Sequence, residues 1–145
     1  MNQQLGRLII SAVTIAFLGG CTKDPGTPTI LQASPTPFVN DLPLPAKFKL
    51  VEQQSEDRSV PGRRYVKHVY EGPSDAMAVN NFYLQYMPQG NWELQEQRLD
   101  KGGVYHLKYR KGLELCEITI ERMPTPSGTF THIRANIQSM METPG

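Results

Sequence analysis

The chain has 145 residues, 39% of them hydrophobic and 20% charged, with 15 Lys and Arg against 14 Asp and Glu. Its length suits one globular domain with appendages rather than two domains. A near-neutral balance with mixed signs lacks the clustered cations that nucleic-acid binding needs for counterion release, so no nucleic-acid partner is expected.

The amino terminus carries one cation, Arg7, then an apolar run from Leu8 to Leu18 broken only by Ser11 and Thr14, and closes on Gly19, Gly20 and Cys21. As a helix the run would be about 16 Å long, half the roughly 30 Å hydrocarbon core of a bilayer, so it does not suit a permanent span. A short basic region, a brief apolar region and small residues before a break have the layout of a secretory signal peptide over residues 1–20. Removing it takes away Arg7 alone among the charged residues and leaves a formally neutral chain.

Leu18-Gly19-Gly20-Cys21 resembles the lipobox of bacterial lipoproteins, a leucine and two small residues before an obligatory cysteine. The resemblance implies that the Cys21 thiol receives a diacylglycerol, that signal peptidase II cuts before it, and that the new amino group is acylated in turn. Cys21 would then be the lipidation site and membrane lipid its partner. Two or three acyl chains hold firmly where one binds only marginally, since each buried methylene contributes about 0.8 kcal/mol. Thr22, where an inner-membrane protein of this class often has Asp, implies the outer membrane with the domain facing the periplasm.

Residues 21–45 hold Pro25, Pro28, Pro35, Pro37, Pro43 and Pro45 among small polar residues. Proline removes backbone donors and favours extended geometry, so the segment reads as a semi-stiff tether of up to roughly 70 Å. The alternative is an arm in which Phe38, Val39 and Leu42 pack on the domain.

A single α+β domain is expected over residues 46–138, an antiparallel sheet in the chain order ββαββββ with one amphipathic helix packed on one face. Lys47–Val51 alternates and reads as a first short strand, and Gln53–Gly62 as a polar loop. Arg63–Glu71 is rich in β-branched and aromatic residues and reads as a strand, with either side open to burial. After Gly72-Pro73, Ser74 is the expected helix cap and Asp75 suits the helix dipole. Val79, Phe82, Tyr83 and Tyr86, extended by Ala76 and Met87, then form an apolar stripe, with Asn80, Asn81 and Gln85 mostly elsewhere. Pro88 and Gly90 end the helix.

Four strand-like runs follow. Trp92 and Leu94 share a face in the first, and Asp100–Gly103 turns into Val104–Arg110, where Tyr105, Leu107 and Tyr109 alternate with His106 and Lys108. Lys111-Gly112 leads into Leu113–Glu121, with Cys116, Ile118 and Ile120 on one side. Pro124–Gly128 forms a longer turn into Thr129–Ile137, with Ile133, Ala135 and Ile137 together. Residues 139–145 read as a flexible tail. The segment Phe82–Trp92 also resembles a pattern in small bacterial envelope proteins, a resemblance that implies no activity.

No phosphate loop, zinc helix, nucleophile elbow or Cys-x-x-Cys pair occurs, so no catalytic residue, cofactor or metal site is expected. His68, His106 and His132 all fall in strands, but Lys108 and Arg134 beside two of them and the lack of carboxylates on those faces argue against a metal site. Cys116 is the one thiol left after lipidation and reads as a buried small hydrophobe. Arg63, Arg64 and Lys67, with Lys108, Arg110 and Lys111, read as a solvated face that becomes a partner surface if Tyr65 or Tyr105 stands beside them.

The expectation is therefore a membrane-anchored, non-catalytic binding or assembly module whose partner is an envelope protein or polymer. The alternative is a periplasmic enzyme or small-ligand carrier with a site dispersed over the strands. A deep apolar cleft holding perturbed titratable groups would favour the second; a filled helix–sheet interface would not.

Overall fold

The computed structural model describes residues 29–126 and 128–140; the leader, Cys21 and residues 141–145 lie outside them. Seven strands form one antiparallel sheet: β1 (Lys49–Leu50), β2 (Glu56–Val60), β3 (Arg63–Gly72), β4 (Glu93–Leu99), β5 (Tyr105–Lys111), β6 (Glu114–Thr125) and β7 (Gly128–Ser139). The order is β1-β3-β7-β6-β5-β4, with β2 paired to β3 beside β1. The helix α1 (Ala76–Tyr86) follows β3 and runs into a 3-10 turn at Met87–Gly90. The expected α+β architecture is present, with one strand more than expected before the helix.

Alternation explains why one face of the sheet is covered. Register aligns three rungs of inward side chains across β3, β7, β6 and β5: Val66, Ile137, Cys116, Tyr109; His68, Ala135, Ile118, Leu107; and Tyr70, Ile133, Ile120, Tyr105. All are buried except Tyr105, which is partly so. Residues in a strand point alternately to the two faces, so Tyr65, Lys67, Asn136, Arg134, Glu117 and Lys108 fall on the opposite, open face. Val69 is also buried on that side, with its N–H donating to Ser55 Oγ at 3.0 Å and its carbonyl accepting from Val51 N at 2.8 Å.

The helix lays Val79, Phe82, Tyr83 and, at its end, Met87 on the rungs, each at most 2% exposed. Asp75, not Ser74, is its cap: the Asp75 carboxylate accepts from Ala78 N at 2.8 Å, and the Ser74 carbonyl instead accepts from Thr131 Oγ1. Asn80 is buried rather than turned away, because its carboxamide meets the Gln97 side chain on β4 and Asn81 beside it. Trp92 and Leu94 do not share an environment: Trp92 is 1% exposed just ahead of β4, whereas Leu94 is 44% exposed at a bulge between Leu94 and Glu96.

Four further expectations are corrected. The segment Gln53–Gly62 is not all loop, since Glu56–Val60 forms a hairpin with β3 across Pro61-Gly62, where Gly62 takes the positive φ (76°) the turn needs. The chain from residue 31 to residue 45 is not a free tether but an arm on the domain. Ser34 N donates to the Leu44 carbonyl and Ala46 N to the Gln32 carbonyl, while Leu42 and Leu44 enter the core at 1% and 2% exposure, Val39 packs against it and Phe38 lies half-exposed beside Tyr70. The last turn is shorter than expected, with β6 reaching Thr125 and β7 starting at Gly128, and Ser139 and Met140 are held by the sheet rather than loose in a tail: Ser139 Oγ accepts from Arg64 N and Met140 N donates to the Leu113 carbonyl.

Candidate functional site

The one site residue the sequence names, Cys21, lies outside the described residues. The three strand histidines are described, and the sheet separates them. His68 points into the core, whereas His106 and His132 lie on the open face. Each meets a carboxylate that the one-strand reading of faces missed, because the acid comes from a neighbouring strand or a turn. His68 Nε2 is 2.8 Å from Asp57 on β2, His106 Nε2 3.1 Å from Asp100 in the β4–β5 turn, and His132 Nε2 3.4 Å from Glu71 on β3. Among the described residues no group of three His, Cys, Asp or Glu side chains is placed to hold a metal ion.

Inside the helix-covered face, His68 Nδ1 lies 2.7 Å from the Tyr70 hydroxyl, completing an Asp57–His68–Tyr70 chain in which Tyr70 is 1% exposed. Tyr83 from α1 and Tyr109 from β5 share this interior with Cys116, which pairs across the sheet with Tyr109. The Tyr83 and Tyr109 hydroxyls are buried without a hydrogen-bond partner among the described residues. Burial pushes the Tyr70, Tyr83 and Tyr109 phenols and the Cys116 thiol well above their ordinary values, so all four stay neutral at physiological pH. A thiol that stays protonated is a poor nucleophile, in keeping with Cys116 as a packed hydrophobe.

One step beyond the Val66 rung, the sheet ends in a polar row of Arg64, Ser139, Glu114 and Lys111, onto which the arm sets Asp41. Arg64 grips both Asp41 oxygens through its two terminal nitrogens (2.8 and 2.6 Å) and Glu114 through Nε and Nη2 (2.5 and 2.8 Å). Lys111 also pairs with Asp41 and lies 4.7 Å from the centroid of the Trp92 ring. Trp92 Nε1 donates to the Asp41 carbonyl at 2.7 Å. Burial by itself would raise the Asp41 carboxyl, but the hydrogen bonds from Arg64 and Lys111 outweigh it and hold it at about 2. This row clasps the arm. It takes Arg64 and Lys111 out of the expected basic surface, and sequence reasoning missed Asp41 because a lone acid among prolines carries no periodic signal.

The open face carries facing charge pairs, Lys108 with Glu117 at 3.4 Å and Arg134 with Glu121 at 3.1 Å. Tyr105 turns toward the core, so of the two tyrosines only Tyr65 stands beside exposed cations. Together with Arg58, Val60, Arg63 and Gln138 it lines a shallow depression at the β2–β3–β7 corner.

A family model described as START domain-like matches residues 50–139. The match spans more than half of the chain and all seven strands but for one residue of β1, and the protein belongs to the START domain-like family. The arm lies outside it. Comparison with curated proteins and with solved structures finds no match.

Proposed function

We propose that the protein is a non-catalytic binding module of the bacterial cell envelope, held at the outer membrane by acyl chains on Cys21 and facing the periplasm. The observation that carries the binding role is the asymmetry of the sheet. One face is filled by Trp92, Tyr70, Tyr83, Tyr109 and Met87, and the other is left uncovered by the helix and the arm. A filled interface gives a substrate no cleft to enter, whereas a sheet face covered only around Val69 offers area to a partner. Family membership supports a ligand-binding module at this coarse level. The lipobox supports the anchor. With the arm docked from residue 31, residues 22–30 can span at most about 30 Å, less than half the reach of a free tether, which would keep the domain close to the headgroups.

A second reading is favoured by one observation. The unpartnered Tyr83 and Tyr109 hydroxyls lie inside the helix–sheet interface. Buried hydroxyls without partners cost about 1–3 kcal/mol each, which hydrogen bonds from a small polar ligand or water would relieve. In that case the protein is a small-ligand carrier.

Crosslinking the native, membrane-bound protein with a reversible reagent tests the first reading. It expects one envelope component enriched well above its abundance, and Cys21→Ser should move the protein to the soluble fraction and abolish incorporation of a fatty-acid analogue. Recovery of abundant neighbours alone would contradict the binding role, and unchanged membrane retention and labelling would contradict the anchor. A small molecule co-purifying with the protein, and lost on Tyr83→Phe/Tyr109→Phe, would favour the carrier.

A further inference from the structure

We propose that the outer edge of β2, with the basic corner beside it, takes an extended acidic peptide by strand addition; this deepens the binding-module reading and rests on it. A sheet has two lateral edges, and here they are unlike. On the β4 side the register shifts at Leu94/Glu96, a bulge of the kind that blunts an edge against pairing. On the other side β2 keeps unbroken register with β3 over all five of its residues, from Glu56 against Lys67 to Val60 against Arg63, and among the described residues pairs with no other strand. All five are exposed. A regular, exposed strand paired on one side only presents a row of outward N–H and C=O groups, the template that strand addition uses.

Charge decides what would bind. Register puts Glu56, Arg58 and Val60 on the open face next to Lys67, Tyr65 and Arg63, so three cations surround one acid. The Arg58–Glu56 pair is 3.3 Å long with 76% and 42% of the two side chains exposed, an ion pair worth little to stability and readily exchanged for an incoming carboxylate. Arg63 sits with Arg58 at the depression, where Tyr65 and the 61%-exposed Val60 add contact area. On the inward side of β2 the order is reversed, because Asp57 faces His68 and would repel a further acid. An added strand should therefore carry acids at alternate positions, toward the open face, with neutral residues between them.

Fluorescence anisotropy with a labelled peptide of alternating Glu and Thr tests this, using the full-length protein in detergent. The peptide is expected to bind, the matched Lys-Thr peptide to bind at least tenfold more weakly, and N-methylation of alternate peptide bonds to abolish binding. Arg58→Glu with Arg63→Glu, both exposed, should keep the far-ultraviolet spectrum and lose at least tenfold in affinity for the Glu-Thr peptide. Amide resonances of Glu56–Val60 should shift most. Equal binding of both peptides, indifference to N-methylation, or shifts centred away from β2 would overturn the proposal. If the native protein crosslinks to one envelope component through residues distant from β2, the strand-addition site fails while the binding module stands; if no component is enriched, the module itself fails.

Discussion

Asp41→Asn removes one charge from the clasp and keeps the shape of the side chain. In the folded chain the carboxyl titrates at about 2 against an ordinary 3.8, which at about 1.4 kcal/mol per pH unit corresponds to about 2 kcal/mol of stability at neutral pH. The group is 22% exposed, so solvent screening removes only part of this. For a domain of this size about 2 kcal/mol lowers the melting temperature by roughly 8 °C. The sign follows from a depressed folded value: the contribution is full above about pH 4 and is lost as pH falls toward 2, so the gap between native and variant protein should close over that interval. Urea unfolding at a series of pH values, followed by tryptophan fluorescence, measures it, because Trp92 is the one tryptophan and is bonded to the Asp41 backbone, which the substitution leaves in place. A loss below about 0.5 kcal/mol at neutral pH, or a gap that persists unchanged at pH 2, would refute the argument that the arm is held through this carboxylate.

Other substitutions probe other joints. Asp75→Ala should cost about 1 kcal/mol in a denaturant titration and Ser74→Ala less than half of that, since Asp75 Oδ1 accepts from Ala78 N; the reverse ranking would contradict the cap. A methyl group on Gly72 would lie 2.5 Å from the Phe48 ring, so Gly72→Ala should lower thermal stability by about 1–3 kcal/mol, with partial recovery when Phe48 is also changed to Leu. An unchanged melting temperature would contradict that close approach. Cys116, 0% exposed with its thiol pushed up by burial, should resist alkylation in the native domain at pH 8 and react fully in urea. Fast native labelling would contradict its burial.

The parts of the fold legible in the sequence are those where one face is wet and the other dry. Cys116, Ile118 and Ile120 on β6 and Ile133, Ala135 and Ile137 on β7 alternate with polar residues, and period-two alternation fixes both strand and buried side. The helix stripe of Val79, Phe82 and Tyr83 was readable for the same reason at its own period. β2 was not, because Glu56–Val60 is exposed on both faces and leaves no apolar rhythm. Leu42 and Leu44 alternate onto the core, but prolines on either side of Leu44 gave the stretch the composition of a spacer. Asn80 is buried by a carboxamide contact with Gln97, seventeen residues away, which no local pattern records.

The candidate site divides the same way. The proposed lipidation site at Cys21 rests on contiguous residues alone, a local motif that needs no tertiary pairing to be read. The β2 edge and its cations exist only through pairing: Arg58 and Tyr65 face each other because Pro61-Gly62 turns the chain, and Gln138 joins them from β7. Asp57 and Asp41 find His68 and Arg64 across strands and across the arm, at separations that a single sequence leaves unordered.

The mass of the amino-terminal peptide from protein extracted from native membranes tests the anchored module most directly. The account predicts a peptide that begins at Cys21 and carries a diacylglyceryl group and an amide-linked acyl chain. A peptide that retains residues 1–20, or one whose Cys21 thiol is unmodified, would contradict it.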